Sequence, residues 1–269
     1  MAAERSIRKY LKDLKEKFFG GRGEKQNPEP QREDQDGNLR ELLESVFYAL
    51  ILAILIRSFL YEPFHIPSGS MKPGLMEGDF IFVSKFSYGY SKYSLPFGIP
   101  ILRDRIFNGR KPKRGDVIVF KLPRNPKINY IKRLLGLPGD SVVVKNNLVY
   151  VNGEEIPREY LGEYEDPLEH STLLSFSENL EGKSYRVLQD TKYNLYGDGE
   201  FTVPEGHYFF MGDNRDNSSD SRFTETGFVP YVNLVGRAVI VVFSKKDSLL
   251  KFWKWPVVFR SKRFFRKIV

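Results

Sequence analysis

The chain has 269 residues, enough for one large domain or two small ones with a real core. It contains no cysteine, which excludes disulfides, a thiol nucleophile and Cys-ligated zinc; its three histidines, His65, His170 and His207, form no metal-binding pattern, so no metal or other cofactor is expected. The net charge of +8 suggests nucleic acid or anionic lipid, but residues 245–269 carry nine Lys/Arg against Asp247 alone, so the excess is a property of the tail.

Residues 5–18 place Ile7, Tyr10, Leu11, Leu14 and Phe18 at helical spacing among lysines, a short basic helix suited to an anionic membrane face or to a solvated terminus. Residues 20–38, GGRGEKQNPEPQREDQDGN, are too polar and too rich in Gly and Pro to bury a core and read as a flexible linker. Residues 46–56, VFYALILAILI, are an unbroken apolar run that continues past Arg57 to Tyr61, with Pro63 as a stop. Sixteen residues rise only about 24 Å, slightly less than a hydrocarbon core of about 30 Å, so a span needs Arg57 to snorkel and Tyr48 and Tyr61 to sit at the interfaces. A buried core helix is the alternative. The run begins too far along the chain for a removable signal peptide. Lys25, Arg32 and Arg40 before it favour a cytoplasmic N-terminus, which puts everything after Tyr61 on the far side of the membrane.

Just beyond lies IPSGSM, residues 66–71, where a stiffened approach and a glycine between two serines present a hydroxyl and a backbone N–H to one point. An ordinary turn has the same composition, so the function of this stretch depends on whether the chain supplies a base. From here the pattern is β-rich. Residues 78–86, 115–123, 129–135 and 235–243 read as strands between Gly, Pro and Asp punctuation, and 141–153 as a hairpin turning at Asn146-Asn147.

In NYIKRLLGLPGD, residues 129–140, Pro138-Gly139 fits the centre of a type II turn, and the preceding alternation puts Tyr130, Lys132 and Leu134 on one strand face. A lysine between apolar neighbours becomes a usable base if burial lowers its pKa by about 3 to 5 units; a lysine snorkelling from a sheet edge does not. Residues 154–198 turn acidic and irregular, consistent with a smaller inserted lobe. GDNRDNSSDSR, residues 212–222, fails an EF-hand register begun at Asp213, with Arg215, Ser218 and Thr224 at its third, sixth and twelfth positions. Asx-turns and Asp-Arg pairs would instead make it a rigid loop able to hold a hydroxyl such as Ser218 in place.

Together IPSGSMKPGL, YIKRLLGLPGD and GDNRDNSSDSR, in this order after an apolar segment, resemble the type I signal peptidases, with GDFIFVSKFSYG and GDVIVFKLP extending the similarity over most of 61–243. The resemblance implies a mostly β fold: an N-terminal transmembrane helix, then a catalytic domain of antiparallel sheets with a smaller inserted β lobe. It implies Ser70 as nucleophile, Lys132 as general base, Ser218 orienting the Lys132 amine, and an oxyanion hole of the Ser70 N–H and the Ser68 hydroxyl. Phe64, Ile66, Met71, Leu75, Tyr130 and Ile131 would line shallow pockets for small side chains. Arg133, Asp213, Asp220 and Arg222 would be structural partners near the site. Gly74 departs from the family, which commonly has Thr there.

The expected organisation is a cytoplasmic helix and linker (1–43), an anchor (44–62), an extracytoplasmic catalytic domain (63–244, with the lobe at about 145–205) and a basic aromatic tail (245–269). The expected activity is cleavage of preproteins after small residues at −1 and −3, at a bacterial inner membrane, near the export machinery. The tail interleaves aromatics with basic residues, as a platform for single-stranded nucleic acid also would; outside the cytoplasm its expected partner is membrane phospholipid, with Trp253 and Trp255 at headgroup level, and not nucleic acid. Two rivals fit parts of the sequence. A soluble self-cleaving Ser-Lys regulator conflicts with the apolar span, and a non-enzymatic tethered β domain leaves the Ser-Lys-Ser set unexplained.

Overall fold

The computed structural model describes residues 35–93, 105–106, 109–190, 197–245 and 259–269. The basic helix expected at 5–18, most of the linker, and Trp253 and Trp255 lie outside these residues.

The first element, α1 (Gln35–Phe59), begins inside what read as linker and well before the expected anchor. Arg40 and Glu44 stand one turn apart on it and pair at 3.1 Å. Its segment Leu39–Phe59 has 21 residues of mean hydropathy 1.9 and is only 6% buried. At 1.5 Å per residue it rises about 32 Å, long and apolar enough to cross a membrane without the edge help that a 16-residue span required. Phe47, Leu50, Leu52, Ile54 and Leu55 are all exposed, which leaves the helix apolar on every side.

By its internal contacts the chain divides after Tyr48, and residues 49–269 form the larger unit. Pro63, expected to stop the helix, sits inside β1 (Tyr61–His65), where an edge strand tolerates its missing N–H. The main sheet also contains β2 (Asp79–Ser84), β3 (Val117–Leu122), β4 (Asn125–Gly136), β12 (His207–Met211), β13 (Val229–Pro230) and β14 (Leu234–Ser244), in the order β1-β2-β14-β3-β4-β12-β13. Every pairing in it is antiparallel. Strand alternation divides its core in two. Val117 and Val119 face Ile66, Met71, Leu75 and Ile81, whereas Ile118 and Phe120 face Tyr88, Leu134, Phe210 and Leu234. A run of four consecutive buried residues, VIVF, therefore makes β3 a central strand.

The inserted lobe is more regular than its sequence. It comprises β5 (Ser141–Lys145), β6 (Leu148–Val151), β7 (Glu154–Glu155) and β11 (Gly199–Thr202) in one sheet, and β8 (Arg158–Glu165), β9 (Thr172–Leu180) and β10 (Lys183–Asp190) in another. The acidic stretch read as irregular is thus a three-stranded ladder, its strands disguised because β8 buries no residue. The 141–153 hairpin turns on Asn146 and Asn147, with φ of 55° and 60°, the left-handed pair that a two-residue hairpin loop needs. Val142, Val144, Val149 and Val151 of this hairpin share a cluster with Phe209 and Met211 of β12, which joins lobe and main sheet.

The end of the basic tail is part of the fold. Strand β15 (Arg266–Lys267) pairs with β14 and Ile268 joins the cluster of Ile66, Met71 and Leu75. Arg263 is buried because its guanidinium grips Asp79, Nε to Oδ1 at 3.0 Å and Nη2 to Oδ2 at 2.5 Å. An ion pair of this kind removes a cation from the count of charges available to lipid.

Candidate active site

Residues 66–78 form a loop joining β1 to β2, closed at its base by Ile66 N–H to Asp79 O and Gly78 N–H to Ile66 O, both 2.9 Å. Within it Lys72 N–H donates to Gly69 O at 3.0 Å and Leu75 N–H to Met71 O at 2.8 Å, which makes the SGSM segment a tight turn. Ser70 is buried there and Ser68 is exposed. The GDNRD loop holds this turn through a residue that sequence reasoning did not single out. Asn214 donates its N–H to Ser70 O at 3.1 Å and its side-chain amide to Gly69 O at 3.2 Å. Among the described residues the Ser70 N–H has no backbone acceptor.

Lys132 sits in β4 opposite Ile118 of β3, and the ladder delivers its Nζ to 2.5 Å from Ser70 Oγ. It is 4% exposed, with the face of the Tyr130 ring 5.4 Å from its Nζ. Burial pushes its pKa down to about 8, against the opposing pull of the Asp220 and Asp213 carboxylates and with a smaller push from Arg222. About a tenth of the amines would then be neutral at pH 7, compared with a few in ten thousand for an ordinary lysine. A hydroxyl beside a buried, easily deprotonated amine is an activated nucleophile.

Arg133, the next residue, turns to the other face. Its guanidinium forks onto Asp213, Nε to Oδ1 at 2.8 Å and Nη2 to Oδ2 at 2.7 Å. Its remaining terminal nitrogen donates to Gly115 O and Val269 O, each at 2.8 Å. Asp220 caps Gly212 N–H at 3.0 Å and receives Arg222 Nε and Nη2 at 2.8 and 2.9 Å. These two buried, bidentate pairs fix the ends of the polar loop. Gly74, the departure from the family, lies close under Asp213: a Cβ there would stand 3.3 Å from Oδ2, a tight contact.

Two expectations require correction. Ser218 makes no hydrogen bond to Lys132. Its hydroxyl is buried without a partner and rests on Gly212, where a Cβ would come within 2.2 Å of Ser218 Oγ and 2.6 Å of Ser70 O. Ser218 and the Ser70 carbonyl thus pack together against the open side of Gly212. Among the residues expected to line pockets, Ile66 is 2% exposed within the core cluster, where its apolar neighbours close over it; Met71 and Leu75 belong to the same cluster and also border a cavity shared with Val117 and Arg133. Phe64, Tyr130 and Ile131 are half-buried and keep an accessible face.

The chain matches the family model described as signal peptidase, peptidase S26, over residues 39–243, a stretch holding all three motifs. A signal peptidase I of Rickettsia typhi is 38% identical over 255 residues, covering 86% of this chain and 94% of its own length. One from Rickettsia massiliae is 40% identical over 247 residues, covering 83% and 91%. The crystal structure of a signal peptidase I from Enterococcus faecalis is 30% identical with a TM-score of 0.31, covering 48% of this chain and 97% of that one.

Proposed function

The chain belongs to the signal peptidase family, peptidase S26, and is a serine endopeptidase; on that premise we propose that Ser70 and Lys132 are its catalytic dyad and that it removes signal peptides from exported preproteins. The observation that carries this reading is the 2.5 Å contact between Ser70 Oγ and a buried lysine with a pKa near 8. In the neutral form the hydrogen bond runs from the Ser70 hydroxyl to the amine. The amine takes that proton as Oγ attacks the scissile carbonyl, and the ammonium returns it to the leaving amine. The same base then activates water against the acyl-enzyme. The Ser70 N–H and the Ser68 hydroxyl stabilise the oxyanion, and Phe64, Tyr130 and Ile131 offer the accessible apolar surface for small residues at −1 and −3.

Helix α1 anchors the enzyme in the bacterial inner membrane, with the Lys/Arg-bearing N-terminal segment cytoplasmic. The catalytic unit then meets preproteins on the extracytoplasmic side, beside phospholipid and the export machinery, where a signal peptide ends. The test is incubation of a preprotein with the detergent-solubilised chain, comparing wild type, Ser70→Ala and Lys132→Ala. Cleavage that survives both substitutions rules out this mechanism.

Because the neutral amine is the active form, kcat/KM is expected to climb about tenfold per pH unit below pH 8 and to level above it. A profile flat from pH 6 to 9 would contradict Lys132 as base. Gly212→Ala is expected to lower kcat about 100-fold, since the new methyl would drive Ser218 and the Ser70 carbonyl apart and a displacement of about 1 Å is costly at a reacting centre. Turnover within fivefold of wild type would show that the loop yields without moving Ser70.

A further inference from the structure

Lys72, two residues beyond Ser70, is a completely buried lysine, and its environment is the reverse of Lys132's. Its Nζ lies 2.8 Å from Asp166 Oδ2 and 2.8 Å from Glu169 Oε1, with Glu77 Oε1 at 3.6 Å. Burial alone would depress its pKa, but the Asp166 and Glu169 carboxylates outweigh burial and raise it, so Lys72 stays charged where Lys132 loses its proton. That rules it out as a base and leaves its position to be explained.

The carboxylates come from far away. Asp166 and Glu169 occupy the turn between β8 and β9 of the inserted lobe, 97 positions from Lys72 in the case of Glu169. The turn is braced from within: Asp166 Oδ1 accepts Leu168 N–H at 2.8 Å and Glu169 N–H at 3.1 Å, and Asp166 N–H donates to Ser171 O at 2.9 Å. On the other side, the Lys72 stem folds back over the residue preceding the nucleophile. A Cβ at Gly69 would stand 2.6 Å from Lys72 Cε and 2.9 Å from Nζ, so the contact is with the Gly69 backbone itself. The Gly69 and Ser70 carbonyls are the same ones that Asn214 holds.

We propose that Lys72 is a positioning residue: gripped by Asp166 and Glu169, it clamps the Gly69-Ser70 turn so that Ser70 Oγ stays within reach of Lys132, and it thereby couples the inserted lobe to the nucleophile. The proposal rests on the reading of Ser70 as nucleophile. It gives the lobe a task, since its β8–β9 turn supplies the anions without which a buried ammonium beside the nucleophile would not be stable.

The test uses the full chain in detergent with a preprotein substrate, comparing wild type, Lys72→Met, Asp166→Asn and the double variant, with rates normalised to folded protein. Asp166→Asn keeps the turn's shape and its backbone acceptor, which guards against a Lys72→Met that fails to fold. Each single variant is expected to lower kcat about 10- to 100-fold with KM within twofold, and the double variant to fall no further than the worse single, because the two groups act as one unit. The ascending pH limb near 8 remains, since Lys132 is untouched. Amide hydrogen exchange at Lys72, Leu75 and Asn214 is expected to accelerate at least tenfold in both singles. A kcat within twofold of wild type, losses that multiply in the double variant, or unchanged exchange at those three amides would overturn the clamp. A wild type that cleaves no preprotein would refute the dyad, and the exchange rates alone would then decide the clamp.

Discussion

Lys132→Met is expected to lower kcat/KM by about four to six orders of magnitude, the loss seen when one member of a nucleophile-base unit is removed, and at the same time to make the protein more stable at neutral pH. Both effects have one cause. The site needs a lysine that gives up its proton, and burial achieves this by penalising the ammonium. A fall from 10.5 to about 8 corresponds to roughly 3 kcal/mol against the folded state at low and neutral pH. Between pH 8 and 10.5 the unfolded chain holds the extra proton, so the contribution of this group to stability improves as pH rises through that window; below pH 8 the penalty is complete. Methionine has nearly the same shape and no charge. Asp220 and Asp213 do not become orphans in the variant, since Arg222 and Arg133 hold them bidentately. Urea midpoints in detergent should therefore favour Lys132→Met at pH 7 by up to a few kcal/mol, with the advantage shrinking by pH 10. Substantial turnover in the variant, or a lower midpoint at pH 7, would show that the lysine is held for its charge and not as a base.

The sequence disclosed those parts of this site that depend on local chemistry. Alternation along 129–135 put Lys132 on the face of Tyr130 and Leu134, and the ladder with β3 keeps it there. Turn chemistry was equally direct: Gly139 has φ of 85°, and Asp140 N–H closes on Leu137 O at 3.0 Å. What remained hidden depends on which strands become neighbours. Nothing near Lys72 names Asp166 or Glu169 as its partners, because the β8–β9 turn reaches the Ser70 loop only when the lobe folds. The motif resemblance implies that Ser218 orients the lysine amine, but its hydroxyl is buried beside Gly212 without a hydrogen-bond partner. The end of the tail was hidden for a related reason. Basic, aromatic composition does not disclose that Arg263 finds a buried Asp79 or that residues 266–267 pair with β14. The helix start was hidden because residues 35–38 belong to a stretch whose polar, Gly- and Pro-rich composition reads as linker, although the helix begins at Gln35.

Ser68→Ala is expected to lower kcat about 10²- to 10³-fold with KM nearly unchanged, equivalent to roughly 3 to 4 kcal/mol of transition-state stabilisation. Ser68 precedes Ser70, the proposed nucleophile, by two residues, and Pro67 fixes the φ with which the chain enters the turn. Ser68 is exposed, so its hydroxyl is open to a bound peptide, whereas Ser218 is buried. The Ser70 N–H is likewise uncommitted to any backbone acceptor among the described residues, while the Ser70 carbonyl is taken by Asn214. An oxyanion hole requires this state, with one backbone donor and one side-chain donor free until charge develops on the substrate oxygen. Such donors bind the tetrahedral oxyanion more strongly than the ground-state carbonyl, so their loss appears in kcat. Ser68→Thr keeps the hydroxyl and is expected to retain most of the activity, whereas Ser68→Gly, which frees the backbone as well, should be no better than alanine. Measuring kcat and KM separately for the three variants decides the matter. A raised KM at unchanged kcat would make Ser68 a ground-state contact, and full turnover in Ser68→Ala would leave the Ser70 N–H as the oxyanion donor without its partner.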